Sequence, residues 1–277
     1  MSLPNLIVIG AMKSGTTSLH HYLRGHPDIY MSVPKELNYF VKEHHWDRGL
    51  DWYKSHFAGK EDFKIRGETT PAYSAAPIYD GVPRRIADLI PDASLIYIVR
   101  DPIARIRSQW RHEVAAGRER LPIGQAVLKD PAYLARSRYA SQIDRYAEHF
   151  DLSQLKVITN QSLSDRREET MARLFEFLGV DPDVSLDLHK ERHQATEKRS
   201  RLPAFRKIRN IRGYDWIAGK MPRWVKQLNY RLTTRAVDPG DVELPAQVEE
   251  HLRAELAEEV SKLRNHMNGE FDGWGIA

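Results

Sequence analysis

At 277 residues, 41% of them hydrophobic and 29% charged, the chain has enough apolar material for the core of one large domain, which excludes disorder or a collagen-like repeat as its main description. It contains no cysteine, and so no disulfide framework, thiolate metal site or thiol nucleophile; a reducing, cytoplasmic setting is the expectation. The net charge of +4 is unevenly spread, since Lys190–Arg212 holds nine Lys or Arg against two Glu and leaves the rest of the chain at −3 (+4 less +7).

In chain order, Leu6–Ile9 is a short β-branched run that ends at Gly10 and reads as a buried strand. It is too short, and lacks the basic flank, for a secretory signal, and no run reaches the roughly 20 apolar residues of a membrane span, so no membrane anchor is expected. A helix is predicted over Thr16–Arg24, with Leu19 and Leu23 on one face and Gly25 as its stop. Pro83–Ile90 reads as a second helix and Leu95–Val99 as a second apolar strand. Pro102 suits the first turn of a helix that runs to about Ala115. Leu155–Thr159 is a third strand, followed by a helix marked by Met171, Leu174, Phe175 and Leu178. Val248, Leu252, Leu256, Val260, Leu263 and Met267 form a helical stripe expected to dock on the sheet. Strand and helix alternating at this spacing predict an α/β fold: a P-loop-like three-layer domain with a central parallel sheet flanked by helices. One domain over residues 1–277 is expected, with 213–245 as an irregular excursion near the site.

A second basic cluster, Arg100, Arg105, Arg107, Arg111, Arg118 and Arg120, faces few acids in sequence. By charge counting alone such clusters are solvated surface, and a motif is needed to make them a polyanion site. The motif is GAMKSGTT, Gly10–Thr17, between the first strand and the first helix. A tight turn there aims backbone N–H groups and the positive end of a helix at one point, the geometry that binds phosphate or sulfate. Lys13 adds a full charge, Thr16 and Thr17 add hydroxyls, and Gly10 and Gly15 let the backbone bend. A nucleotide-triphosphate loop places its lysine after the second glycine. Here Thr16 follows Gly15 and the lysine precedes that glycine by two residues. A P-loop nucleotide-dependent kinase is thereby the alternative reading rather than the first.

The segment KSGTTSL after a first strand resembles the 5′-phosphosulfate loop of sulfotransferases, which use 3′-phosphoadenosine 5′-phosphosulfate (PAPS). YIVRDPIARIRSQW, Tyr97–Trp110, resembles the 3′-phosphate motif of that family, with Arg100 closing a strand and Ser108 eight residues on. GHPDI at 25–29, KELNYF at 35–40, GLDWY at 49–53, ETTPAY at 68–73 and the FDGW ending are similar to landmarks of the heparan-sulfate type. Without an anchor or cysteine the chain resembles soluble, bacterial-type members. The resemblance implies that Lys13, Ser14, Gly15, Thr16, Thr17 and Ser18 cradle the phosphosulfate. It implies further that Arg100 and Ser108 hold the 3′-phosphate, and that Lys198 and Arg199 in TEKRSR close over it. Arg138 and Tyr139 are expected near the 3′-phosphate and the adenine. Glu36 takes the place of the family's catalytic base, with Glu68 as runner-up base or orienting partner; Thr69 stands where heparan enzymes often have Lys. PAPS is the implied donor and PAP its product, with a small-molecule or glycan acceptor. No metal, nucleic acid or membrane partner is expected, and the acceptor and oligomeric state stay open.

Overall fold

Every residue of β1 (Leu6–Gly10) is buried, as a strand covered on both faces requires. Around it a computed structural model, which describes residues 3–184, the backbone of 199–201 and 234–236, and residues 242–267 and 271–276, builds the molecule. β2 (Ile29–Met31), β3 (Ile65–Thr69), β4 (Ser94–Val99) and β5 (Leu155–Thr159) join β1 in a five-stranded parallel sheet ordered β2-β3-β1-β4-β5. Leu6 is flanked by Gly67 of β3 and Ser94 of β4, which sets the register of the three central strands.

Alternation along the strands sends the sheet's apolar side chains to two cores. Leu6, Val8, Ile96 and Ile98 pack with Leu19 and Leu23 of α1 (Thr16–Arg24) and with Met171, Leu174 and Phe175 of α9 (Arg167–Leu178). Ile7, Ile9, Leu95, Tyr97 and Val99 face the opposite layer. That layer contains Tyr53 of α2 (Gly49–Ser55), Ile86 of α3 (Val82–Leu89) and Ile143 of α7 (Tyr139–Ala147). This is the three-layer α/β arrangement that the strand and helix pattern predicts. A third cluster joins α4 (Pro102–Ala115), α5 (Ile123–Lys129), α6 (Ala132–Ala135) and α10 (Ala246–Arg264). The stripe of α10 is buried as expected, at Leu252, Leu256, Val260 and Leu263. The helix packs on α7 and α4, however, one layer out from the sheet on which it was expected to dock. α3 and α7 already cover that ground, and of α10 only Leu263 reaches the cluster lining the sheet face.

α8 (Asn160–Asp165) follows β5 directly, and β6 (Arg199–Arg201) pairs antiparallel with β7 (Thr234–Ala236). The backbone of β6 lies near α4. Apart from 234–236 and 242–245, the expected excursion at 213–245 falls outside the described residues. Parallel strands all end on the same edge, and that edge of this sheet delivers Gly10, Thr69, Val99 and Thr159 to one side of the molecule.

Candidate active site

The loop from Gly10 to Gly15 leaves the centre of the sheet and turns at once into α1. Ala11 N–H donates to Ile98 O (2.7 Å), and Ser14 N–H closes a turn onto Ala11 O (3.2 Å). Lys13 sits at φ 69° and Gly15 at φ 100°, so the backbone bends through conformations that side chains resist. At Gly15 even a methyl group would come within 2.5 Å of Asn160 Nδ2, and at Gly10 it would overlap the Ser74 hydroxyl. α1 begins with no side-chain cap and no acid in its first turn. Its first N–H groups and its positive end therefore remain available to an external anion. Ser14 is fully buried with its Oγ beside the Tyr139 hydroxyl, Thr16 is buried, and Thr17 is exposed at the helix mouth.

Arg100 leaves β4 one strand away and its Nη1 donates to Lys13 O at 3.4 Å, joining the two motifs. Its own carbonyl accepts from Tyr139 Oη (2.8 Å), and Asp101 caps α4 by accepting from Ala104 N–H (2.6 Å). Burial pulls the Arg100 pKa down first; Tyr139 and Asp101 pull it up and the Arg111 charge pulls it down again. Two arginines that repel each other at a half-buried place favour a bound anion. Ser108 and Arg111 lie one turn apart on α4. Ser108 is buried, and Arg111 Nε is buried with no partner among the described residues. The other arginines of the cluster that have described partners do different work. Arg105 is sealed in the core and donates to Ser137 Oγ, Gln109 Oε1 and Tyr133 O. Arg107 pairs with Glu249 and Arg118 with Glu113.

Across β1, the end of β3 carries the other half of the site. Glu36 is exposed and paired with Lys35 (2.5 Å), while its N–H donates to Thr69 O (3.0 Å). Glu68 is fully buried, and its carboxylate accepts from Tyr53 Oη (2.6 Å), Tyr73 Oη (3.1 Å) and Thr70 Oγ1 (2.9 Å). Burial pushes its pKa up to about 7, against the pull of those three hydroxyls. His20 of α1 shares a hydrogen bond with Thr69 Oγ1 at 3.0 Å. Burial, then the charges of Lys35, Arg24 and His21, lower its pKa to about 4, so it is a neutral imidazole near pH 7.

A family profile described as "Sulfotransferase domain" matches residues 3–220, well over half of the chain. The chain belongs to the sulfotransferase family. Over 188 residues this sulfotransferase is 29% identical to human heparan sulfate glucosamine 3-O-sulfotransferase 3B1, covering 64% of the chain and 46% of that protein. It is 30% identical over 217 residues to human bifunctional heparan sulfate N-deacetylase/N-sulfotransferase 3, covering 68% of the chain and 24% of that protein. A membrane-associated sulfotransferase of Dictyostelium discoideum, kil1, is 39% identical over 117 residues, 41% of the chain and 24% of that protein. The chain thus spans less than half the length of these curated relatives. A sulfotransferase crystal structure from Alicyclobacillus acidocaldarius shares the fold, with a TM-score of 0.72, 24% identity and 99% coverage of both chains.

Of the residues singled out from sequence, the sulfotransferase fold brings Lys13, Ser14, Gly15, Thr16, Thr17 and Ser18 onto one loop and helix start, with Arg100 bonded to that loop. Lys198 lies outside the described residues; Arg199 is described only in its backbone, in β6 beside α4. Arg138 pairs with Glu255 on α10 (3.1 Å), and Tyr139 is buried with its hydroxyl on the Arg100 carbonyl. Arg111 had no place in the sequence motif. Its spacing of one helical turn from Ser108 is the signal that could have singled it out.

Proposed function

We propose that this sulfotransferase moves a sulfuryl group from PAPS to a hydroxyl or amine of a glycan or small metabolite. The observation that carries the reading is the junction of the Gly10–Thr17 loop with Arg100 through Lys13 O, since it sets two anion-binding elements side by side. Fit to the donor rests on the uncapped start of α1, the buried Ser14 hydroxyl inside the loop and the mutually repelling Arg100 and Arg111. PAPS supplies an activated sulfuryl group whose leaving side is a phosphate. Lys13 offers a cation beside the loop where charge develops on that leaving oxygen, and the first N–H groups of α1 hold non-bridging oxygens. Arg100, Ser108 and Arg111 hold the 3′-phosphate, with Lys198 and Arg199 adding charge.

Glu36 is the general base. As the acceptor oxygen or nitrogen bonds to sulfur, and the bond from sulfur to the phosphate oxygen breaks, Glu36 takes the acceptor's proton. Its exposure at the end of β3 supports that role, while Glu68 has both oxygens occupied inside the core. The scheme draws its positive charge from Lys13 and the arginines and asks for no metal. Two relatives are named for heparan sulfate, which supports a glycan acceptor. Calorimetric titration with PAP, paired with labelled-PAPS transfer to heparosan, 4-nitrophenol and glucosamine, tests the proposal. Glu36→Gln is expected to bind PAP as the wild type does and to lose transfer. Absence of PAP binding refutes the reading, and full activity of Glu36→Gln refutes the base.

A further inference from the structure

The segment that carries Glu36 holds an unfavourable shape. Glu36 sits at φ 66°, a left-handed conformation that costs a side-chain-bearing residue roughly 1–2 kcal/mol, and Asn38 at φ 53°, which asparagine tolerates better through its local hydrogen bond to Glu36 O. Such a shape persists only where the surroundings hold it. His45 holds Leu37 O (2.7 Å), Arg85 Nε donates to Phe40 O (2.8 Å) and Asn38 Nδ2 to Glu36 O (2.8 Å); the backbone N–H groups of the segment are restrained from β3 and the turn after it. Glu36 N–H donates to Thr69 O, Asn38 N–H to Thr70 Oγ1 (3.3 Å) and Phe40 N–H to Tyr73 Oη (3.4 Å).

The last two contacts share a logic. A hydroxyl has one proton, and if it accepts from a backbone N–H it must direct that proton elsewhere. Thr70 directs its proton to Glu68 Oε2 and Tyr73 directs its proton to Glu68 Oε1. Tyr53 adds a third donor on Oε1, so the carboxylate is an acceptor on every side that the structure describes. An ionised carboxylate can do this, whereas an amide in its place presents two donors on one side. With a glutamine there, either Thr70 or the tyrosine pair meets an N–H, and the hydroxyl concerned loses its acceptor.

We infer that Glu68 is a positioning residue: its buried carboxylate orients the Thr70 and Tyr73 hydroxyls, and these hold the 36–40 segment so that Glu36 meets the acceptor. The inference rests on the reading of Glu36 as base and assigns Glu68 a part that does not touch the reacting atoms. The groups facing Glu68 are Tyr53 from α2, Thr70 and Tyr73 from the turn after β3, and Tyr146 from α7 behind them.

Amide hydrogen exchange gives a readout independent of the acceptor. Thr70→Val is expected to speed exchange at Asn38 at least tenfold and Tyr73→Phe to do so at Phe40, with the amides of β1 and β4 unchanged. In labelled-PAPS transfer to whichever of heparosan or 4-nitrophenol the wild type sulfates, Thr70→Val is expected to lower kcat 10- to 100-fold with PAP affinity within twofold. Thr70→Ser restores kcat to within about threefold because it restores the hydroxyl. Combined with Glu36→Gln, Thr70→Val adds no further loss, since it acts through that residue. Unchanged exchange at Asn38 and Phe40, or wild-type kcat in both Thr70→Val and Tyr73→Phe, overturns the inference while leaving the base in place. Wild-type transfer by Glu36→Gln overturns both.

Discussion

Replacing Glu68 by Gln separates what this carboxylate does for function from what it does to stability. Burial raises its pKa from an ordinary 4.5 to about 7 in the folded chain. The folded chain therefore holds the proton more tightly than the unfolded one. Stability falls as pH rises from about 4.5 to about 7 and is level above that. Each pH unit of displacement is worth about 1.4 kcal/mol, so keeping the carboxylate ionised at pH 8 costs about 3 kcal/mol. Glutamine has no charge to bury, and its stability lacks this slope. Measured by differential scanning calorimetry in matched buffers, the Tm of Glu68→Gln relative to wild type is expected to rise between pH 4.5 and pH 8. The rise should be roughly 6 to 12 °C for a domain of this size. A Tm difference that stays constant over that range, or that shrinks as pH rises, refutes the argument. A gain in stability with a loss of kcat in the same variant would show why a carboxylate is retained in so costly a place.

Arg100→Ala removes a half-buried charge from the proposed nucleotide site and is expected to weaken PAP binding by about 10- to 100-fold, as loss of a charge-assisted hydrogen bond does; calorimetry reads it. Arg111→Ala should weaken PAP less, and should flatten the salt dependence of binding, because it removes a cation whose charge is felt at Arg100. Gly15→Ala puts a methyl group 2.5 Å from Asn160 Nδ2 at a φ of 100°; PAP affinity is expected to fall at least tenfold with little change in urea midpoint, since the loop and not the core absorbs the strain. Arg105→Ala deletes a fully buried guanidinium with three hydrogen-bonded partners and is expected to cost about 3 kcal/mol in urea unfolding.

The half of the candidate site built from the Gly10–Thr17 loop and Arg100 was legible because it depends on local chemistry. A glycine-bent turn after an apolar strand, and an arginine closing the next apolar strand, both announce themselves in sequence. β1, β4, β5, α1 and α4 fall where apolar periodicity and helix stops place them. β2 and β3 did not show. Ile29–Met31 has three residues, and Ile65–Thr69 reads IRGET, with an arginine, a glycine and a glutamate hiding a strand. Glu68 is buried there only because Tyr53 and Tyr73, from two separate elements, bring hydroxyls to it. The same limit explains the arginine cluster. Sequence shows Arg105 as one charge among six, and only packing reveals that Ser137, Gln109 and Tyr133 have taken it out of solvent.

The two halves hang from different strands. Lys13 and Arg100 descend from β1 and β4, whereas Glu36 and its supports lean on β3, on the far side of β1. If Glu36 is the base proposed above, a change in the stretch between it and the start of β3 can therefore remould the acceptor's berth while the donor's moorings stay put. A scaffold partitioned this way lets recognition of one reactant drift through many solutions while the chemistry it serves is inherited intact.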